Sequence, residues 1–225
     1  MKFNLSLSLR SAVFVILFII VPQRVNSQQS IGFGVHADPL VGWFSSNNSD
    51  IAGKGARTGF NFGLTFNKYF YRNYAFSTGL SLITAGGSLS SRDTLMLELN
   101  KPTEVLPGSK MVYKINYLAI PVGIKLRTNQ IGYISIFTDI GLDPKFILGG
   151  KVEAPSQNIA QENADNMLNR LSMGYHIIGG IEYSLGGSTA IVLGINFDNN
   201  FTDITKQPNA KITHKMLSFH LGLNF

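Results

Sequence analysis

The sequence predicts an all-β fold: an eight-stranded antiparallel transmembrane β-barrel with short turns at one end and long loops at the other. Three observations carry that reading. Apolar side chains alternate with small or polar ones over runs of about 9–11 residues, the length of a tilted strand that crosses a bilayer. The links between these runs are alternately short and long. Charged residues make up only 14% of the chain, against roughly 25% in ordinary soluble domains, so part of the surface is expected to face something other than water.

The first element in chain order precedes the barrel. Lys2 and Arg10 flank the start of the apolar run 12–21 (AVFVILFIIV), which gives way to a polar stretch ending in Val25, Asn26 and Ser27. A basic start, an apolar centre and small residues at the end have the form of a secretory signal. The run is too short to serve as a helical anchor, which needs about 20 residues. Residues 1–27 are therefore expected to be a signal peptide and 28–225 the barrel domain.

From there on the hydrophobic period is two, which means strands. Phe60, Phe62, Leu64 and Phe66 alternate with Asn61, Gly63, Thr65 and Asn67. Leu118, Ile120, Val122, Ile124 and Leu126 alternate with Ala119, Pro121, Gly123, Lys125 and Arg127. The same pattern recurs through Ile191, Leu193, Ile195 and Phe197, and through Leu217, Phe219, Leu221, Leu223 and Phe225. With weaker segments added, strands are expected at 31–44, 58–68, 74–84, 112–127, 131–143, 171–184, 188–198 and 214–225. The links 69–73, 128–130 and 185–187 are tight, whereas 45–57, 85–111, 144–170 and 199–213 are long. Short periplasmic turns alternating with long external loops are the outer-membrane barrel pattern.

One face of each strand is large and apolar; the other is small and polar and carries Gly63, Gly79, Gly123, Gly141, Gly180, Gly194 and Gly222. A barrel of eight strands is just wide enough for side chains to fill it, so the small face is expected inside and the apolar face against lipid. Trp43, Phe44, Tyr69, Phe70, Tyr71, Tyr74, Tyr133, Tyr175 and Tyr183 lie at strand ends, where aromatic girdles belong. Ala160, Ala164, Met167, Leu168 and Leu171 recur at helical spacing, which predicts a short amphipathic helix within 144–170.

Composition removes several functions. Without cysteine there is no disulfide, thiolate metal site, cysteine nucleophile or lipoprotein acylation site. Three cations of the +6 net charge, Lys2, Arg10 and Arg24, fall in the export signal, and the modest remainder is no nucleic-acid footprint. Gly32-x-Gly34 and Gly53-Lys54-Gly55 lack the strand-to-helix context that makes glycines cradle a phosphate.

The segment 117–125 (YLAIPVGIK), the Gln28-Gln29 start and the closing 220–225 (HLGLNF) resemble the PorT-like outer-membrane β-barrel proteins of Bacteroidota, which are similar in shape to the OmpA and OmpX barrels. The resemblance covers about Ile31 to Phe225. It implies an outer-membrane location and a part in protein secretion or gliding. Phe225 closing an alternating strand also resembles the signal read by the barrel-assembly machinery.

By parity, Lys125, Arg127, Asp139, Asp143, His176 and Glu182 face the lumen, where buried charges must pair. They are expected to form a structural charge network that plugs the barrel. His36 and Asp38 share a face of the first strand, and Ser218 and His220 a face of the last. Ser, His and acid are the raw material of acyl transfer, but no motif fixes their geometry here.

The sequence therefore points to a non-enzymatic outer-membrane barrel, an envelope structural or secretion-associated component, with no catalytic residue, cofactor or metal. Its expected partners are outer-membrane lipid, the assembly machinery and an envelope or secretion-system protein; nucleic acid is not among them. An outer-membrane acyltransferase or deacylase, and a periplasmic lipocalin-like ligand binder, are the alternatives.

Overall fold

The computed structural model describes residues 31–97, 103–157, 159–206 and 210–225; the expected signal peptide 1–27 lies outside them. Among the described residues the strands are β1 (Ile31–Ser46), β2 (Ile51–Tyr71), β3 (Tyr74–Ser91), β4 (Leu95–Leu97), β5 (Thr103–Val105), β6 (Lys110–Ala119), β7 (Val122–Arg127), β8 (Ile134–Ala154), β9 (Ile159–Asn163), β10 (Leu171–Gly186), β11 (Thr189–Asn200) and β12 (Ile212–Asn224). Eight staves close a ring: β1, β2, β3, β6 with β7, β8, β10, β11 and β12, each antiparallel to its neighbours. At the seam Phe33 N–H donates to the Phe225 carbonyl at 3.3 Å, and Phe225 N–H returns a bond to Phe33 at 2.7 Å. Closure pairs each of the eight staves on both sides within the ring, which removes the open edges that template aggregation there.

The expected strand 112–127 is two segments. Pro121 has no N–H for the ladder, so the stave breaks between Ala119 and Val122. Ile120 N–H donates instead to the Pro144 carbonyl at 2.9 Å, and the Pro121 carbonyl accepts the Thr78 hydroxyl at 2.9 Å.

Period two sorts the wall as the sequence requires. Phe60, Phe62, Leu64, Phe66, Ile140, Leu142, Leu193, Ile195, Phe219 and Leu221 are exposed on the outside. Around the short-turn end the Tyr71 ring lies tilted beside Tyr74, and that of Tyr133 beside Tyr183, with ring centroids 5.9 Å apart in both pairs. Phe44, expected in a girdle, instead points inward and is buried against Tyr113 and His214, because it shares parity with Gly42 and not with Trp43.

The long loops are mostly strand. β1 and β2 meet in a tight turn at 47–50, and β2, β3 and β8 run far past the apolar band. Where they do so, the wall inverts its polarity without changing parity. On β6, Lys114 and Asn116 face out while Met111, Tyr113, Ile115 and Tyr117 are buried inside. These side chains join Phe44, Leu89, Val152, Leu168, Ile204 and Ile212 in an apolar core that fills this end of the ring. A uniformly polar lumen was the expectation. The correction follows from solvent: outside the bilayer the wall faces water, so its interior must bury the apolar residues.

The helix expected in 144–170 is absent from the described residues. Residues up to Ala154 continue β8, β9 pairs back onto it, and two 3-10 turns occupy Pro155–Gln157 and Asp165–Met167. Ala164, Met167 and Leu168 have apolar partners in the core, and sheet edges supplied by β8 outcompete a helix of barely two turns.

Candidate functional site

The lumen is polar from the short-turn mouth up to the apolar core. It holds a cavity of about 80 Å³, and the room for its side chains comes from glycine's missing Cβ. A Cβ on Gly63 would stand 2.4 Å from both His36 Nε2 and Ser81 Oγ, and one on Gly123 would stand 2.6 Å from Asp139 Oδ1. The glycine face of the strands is therefore the space in which the ionic side chains lie.

Three clusters occupy that space. At the mouth, Glu182 on β10 accepts from Lys125 at 2.5 Å and Arg127 at 3.2 Å on β7, and from Asn224 on β12 at 3.0 Å. Lys125 also lies over the Phe137 ring, 4.5 Å from its centroid, and Arg127 over Tyr69. Further in, His176 on β10 bridges two carboxylates of β8, Asp143 through Nδ1 at 2.7 Å and Asp139 through Nε2 at 3.4 Å. Lys145, fully buried, donates to both oxygens of Asp198 at 2.5 Å and to Asn200 Oδ1 at 2.8 Å, with Asp143 at 3.9 Å. Above it Tyr117 and His214 seal the polar lumen against the apolar core: His214 Nε2 donates to the Gly86 carbonyl at 3.3 Å, and Nδ1 accepts the Tyr117 hydroxyl at 2.8 Å.

All six residues singled out from the sequence line the lumen, but not as one network. Lys125, Arg127 and Glu182 form the mouth cluster, and Asp139, Asp143 and His176 the inner one. Lys145 and Asp198 are not among those six. Lys145 lies in 144–170, expected as loop, but belongs to β8, and only that placement gives Asp198, which has the lumen parity, its partner.

The third cluster is His36, Asp38 and His220, on adjacent staves β1 and β12. His36 Nδ1 lies 2.8 Å from Asp38 Oδ2, and His220 Nδ1 3.2 Å from Asp38 Oδ1. The serine beside it is Ser81 of β3, whose Oγ is 3.3 Å from His36 Nε2; among the described residues Ser218 bonds neither histidine. Ser81, His36 and Asp38 line up as a nucleophile, base and acid would. Ser81, however, sits mid-strand, paired with Gly63 on one side and Ala119 on the other. A serine paired on both sides in this way stands in a regular ladder and not on the exposed turn from which a nucleophile is usually presented.

The mouth cluster supports a direct test. Glu182→Gln and Lys125→Met should each destabilise the barrel, and the double variant should cost less than their sum, with coupling of about 0.5–3 kcal/mol for residues in contact. Urea titration of vesicle-refolded protein measures the cycle; strict additivity would contradict the contact.

A closed antiparallel ring with an apolar outer band and a charge-filled interior is a transmembrane β-barrel. Residues 23–206 match the family model described as an outer membrane protein beta-barrel domain, and the chain belongs to that family and resides in the outer membrane. Solved structures with a similar chain course include Neisserial surface protein A, 11% identical over 85% of this chain and 95% of that one, TM-score 0.48. OprG from Pseudomonas aeruginosa is 12% identical over 89% and 97%, TM-score 0.42. The attachment invasion locus protein Ail of Yersinia pestis is 12% identical over 85% and 98%, TM-score 0.37. No functionally curated protein matches the sequence.

Proposed function

We propose that this protein is a non-enzymatic, non-conducting barrel that holds a rigid extension outside the cell for an envelope or secretion-system partner. The observation that carries the reading is the inversion of polarity along β2, β3, β6 and β8: the membrane half is a plugged support, and the external half is a separately cored structure that the membrane does not require. The mouth and inner charge clusters act as structural ties that hold the support closed. Residues 1–27 direct export, and the strand ending in Phe225 engages the barrel-assembly machinery. A place in secretion or gliding is what the PorT-like resemblance adds.

Planar-bilayer recording tests the plug: no steady conductance is expected, because side chains fill an eight-stranded lumen, and stable channel openings would contradict it. The Ser81, His36 and Asp38 line favours a second reading, a lipid-modifying enzyme. Lipid extracted from cells with and without the protein separates the two. An unchanged acyl pattern is expected; a deacylated or acyl-shifted species dependent on Ser81 would establish the enzyme.

A further inference from the structure

A proline in the first strand creates a feature that the structural ties above do not explain. Phe33 and Phe225 exchange both backbone bonds, so at period two Pro39 also turns its nitrogen toward β12, with no N–H to offer. The β1–β12 register is interrupted between His36↔Gly222 and Leu40↔Ser218, whereas β1–β2 pairs straight through Pro39↔Phe60. Asp38 occupies the gap. Its Oδ1 accepts the Leu221 backbone N–H at 3.2 Å, and its Oδ2 accepts from Asn61 Nδ2 at 3.0 Å. The carboxylate is thus clamped from both neighbouring strands, with the two histidines converging on it.

We infer that His36, Asp38 and His220 form a site for a divalent transition-metal ion of the zinc class inside the lumen. One ligand atom from each residue lies within 4.8 Å of the others. From the one oxygen Asp38 Oδ2, His36 Nδ1 lies at 2.8 Å and His220 Nδ1 at 3.3 Å, near the roughly 3.3 Å that separates ligand atoms in a tetrahedron with metal bonds of about 2.0–2.1 Å. Two imidazoles and one carboxylate suit zinc and its neighbours better than calcium or magnesium. With Nδ1 on the metal, His36 Nε2 carries the proton and donates it to Ser81 Oγ, the outer-shell bond that fixes a ligating histidine.

A further observation points to a ligand at this place. Asn61 is buried beside Asp38, to which its Nδ2 donates, and its Oδ1 has no hydrogen-bond partner. Asn61 lines the same cavity as His36, Asp38 and His220, so an acceptor oxygen stands unsatisfied in the space that the three ligands share.

The test unfolds the purified barrel with a chelator and refolds it into detergent with Co(II), so that access through the mouth does not decide the result. One Co(II) per chain with tetrahedral visible bands is expected, displaced by Zn(II). His36→Gln and His220→Gln should each remove the bands. Ser81→Ala should weaken binding about tenfold, as losing an outer-shell partner does, and His176→Gln should retain them. Heat-modifiable gel mobility identifies which variants fold. A folded parent without saturable Co(II) bands overturns the site, as do bands that survive in folded His36→Gln and His220→Gln; in either case the triplet is a hydrogen-bonded tie.

Discussion

Lys145→Met should lower the stability of the refolded barrel by about 3–5 kcal/mol, the cost of removing one partner of a buried ion pair. Lys145 has 0% exposure, and its Nζ is shared by Asp198 and Asn200, with Asp143 beyond. Methionine keeps the length of the stem and deletes the charge, which leaves Asp198 facing a second carboxylate in a space closed above by Tyr117 and His214. Lys145→Met with Asp198→Asn removes both charges and should recover part of the loss, since contacting residues couple by about 0.5–3 kcal/mol. Urea unfolding in lipid vesicles reads both. A single variant within a few tenths of a kcal/mol of the parent would mean that water reaches this level of the lumen.

Leu193→Arg should cost about 2–4 kcal/mol, the penalty for a guanidinium at mid-depth on the lipid face of a barrel. Leu193 faces outward between Ile191 and Ile195 on β11 and pairs across to Ile181 and Leu221, both exposed on the same wall. Leu185→Arg, also outward but at the turn end of β10, should cost only about 0–1 kcal/mol, because the penalty falls toward the interface. Equal costs at the two positions would contradict the depth assignment. Gly194 next to Leu193 is no neutral comparison: a Cβ there would stand 2.9 Å from the Gly179 carbonyl oxygen, so Gly194→Ser must shift backbone.

Much of the membrane half was legible because period two is a local signal. Phe60 to Phe66 and Leu217 to Phe225 report their face residue by residue, and the turns at 72–73, 128–133 and 187–188 interrupt that count. The external half was not legible. On β6 the outward Lys114 and Asn116 and the inward Tyr113, Ile115 and Tyr117 alternate as well as any membrane strand, but which face is wet depends on where the bilayer stops, and no single residue encodes that. Parity runs unbroken across Pro121, so period two alone makes 112–127 one strand, and the ladder break comes from the missing N–H. The lumen charges were assigned by face, which parity gives. Their partners, such as Lys145 for Asp198 or Ser81 for His36, depend on the shear of the ring, which it does not.

The apolar face looks outward into lipid, and the chain carries its own probe of that contact. Trp43 is its single tryptophan, on the outer face of β1 opposite Lys215, at the external rim of the apolar band. In vesicles its emission should be blue-shifted, and lipids brominated near the headgroup should quench it more strongly than lipids brominated near the bilayer centre. Emission at the wavelength of a water-exposed indole, unaffected by bromine at any depth, would contradict the account.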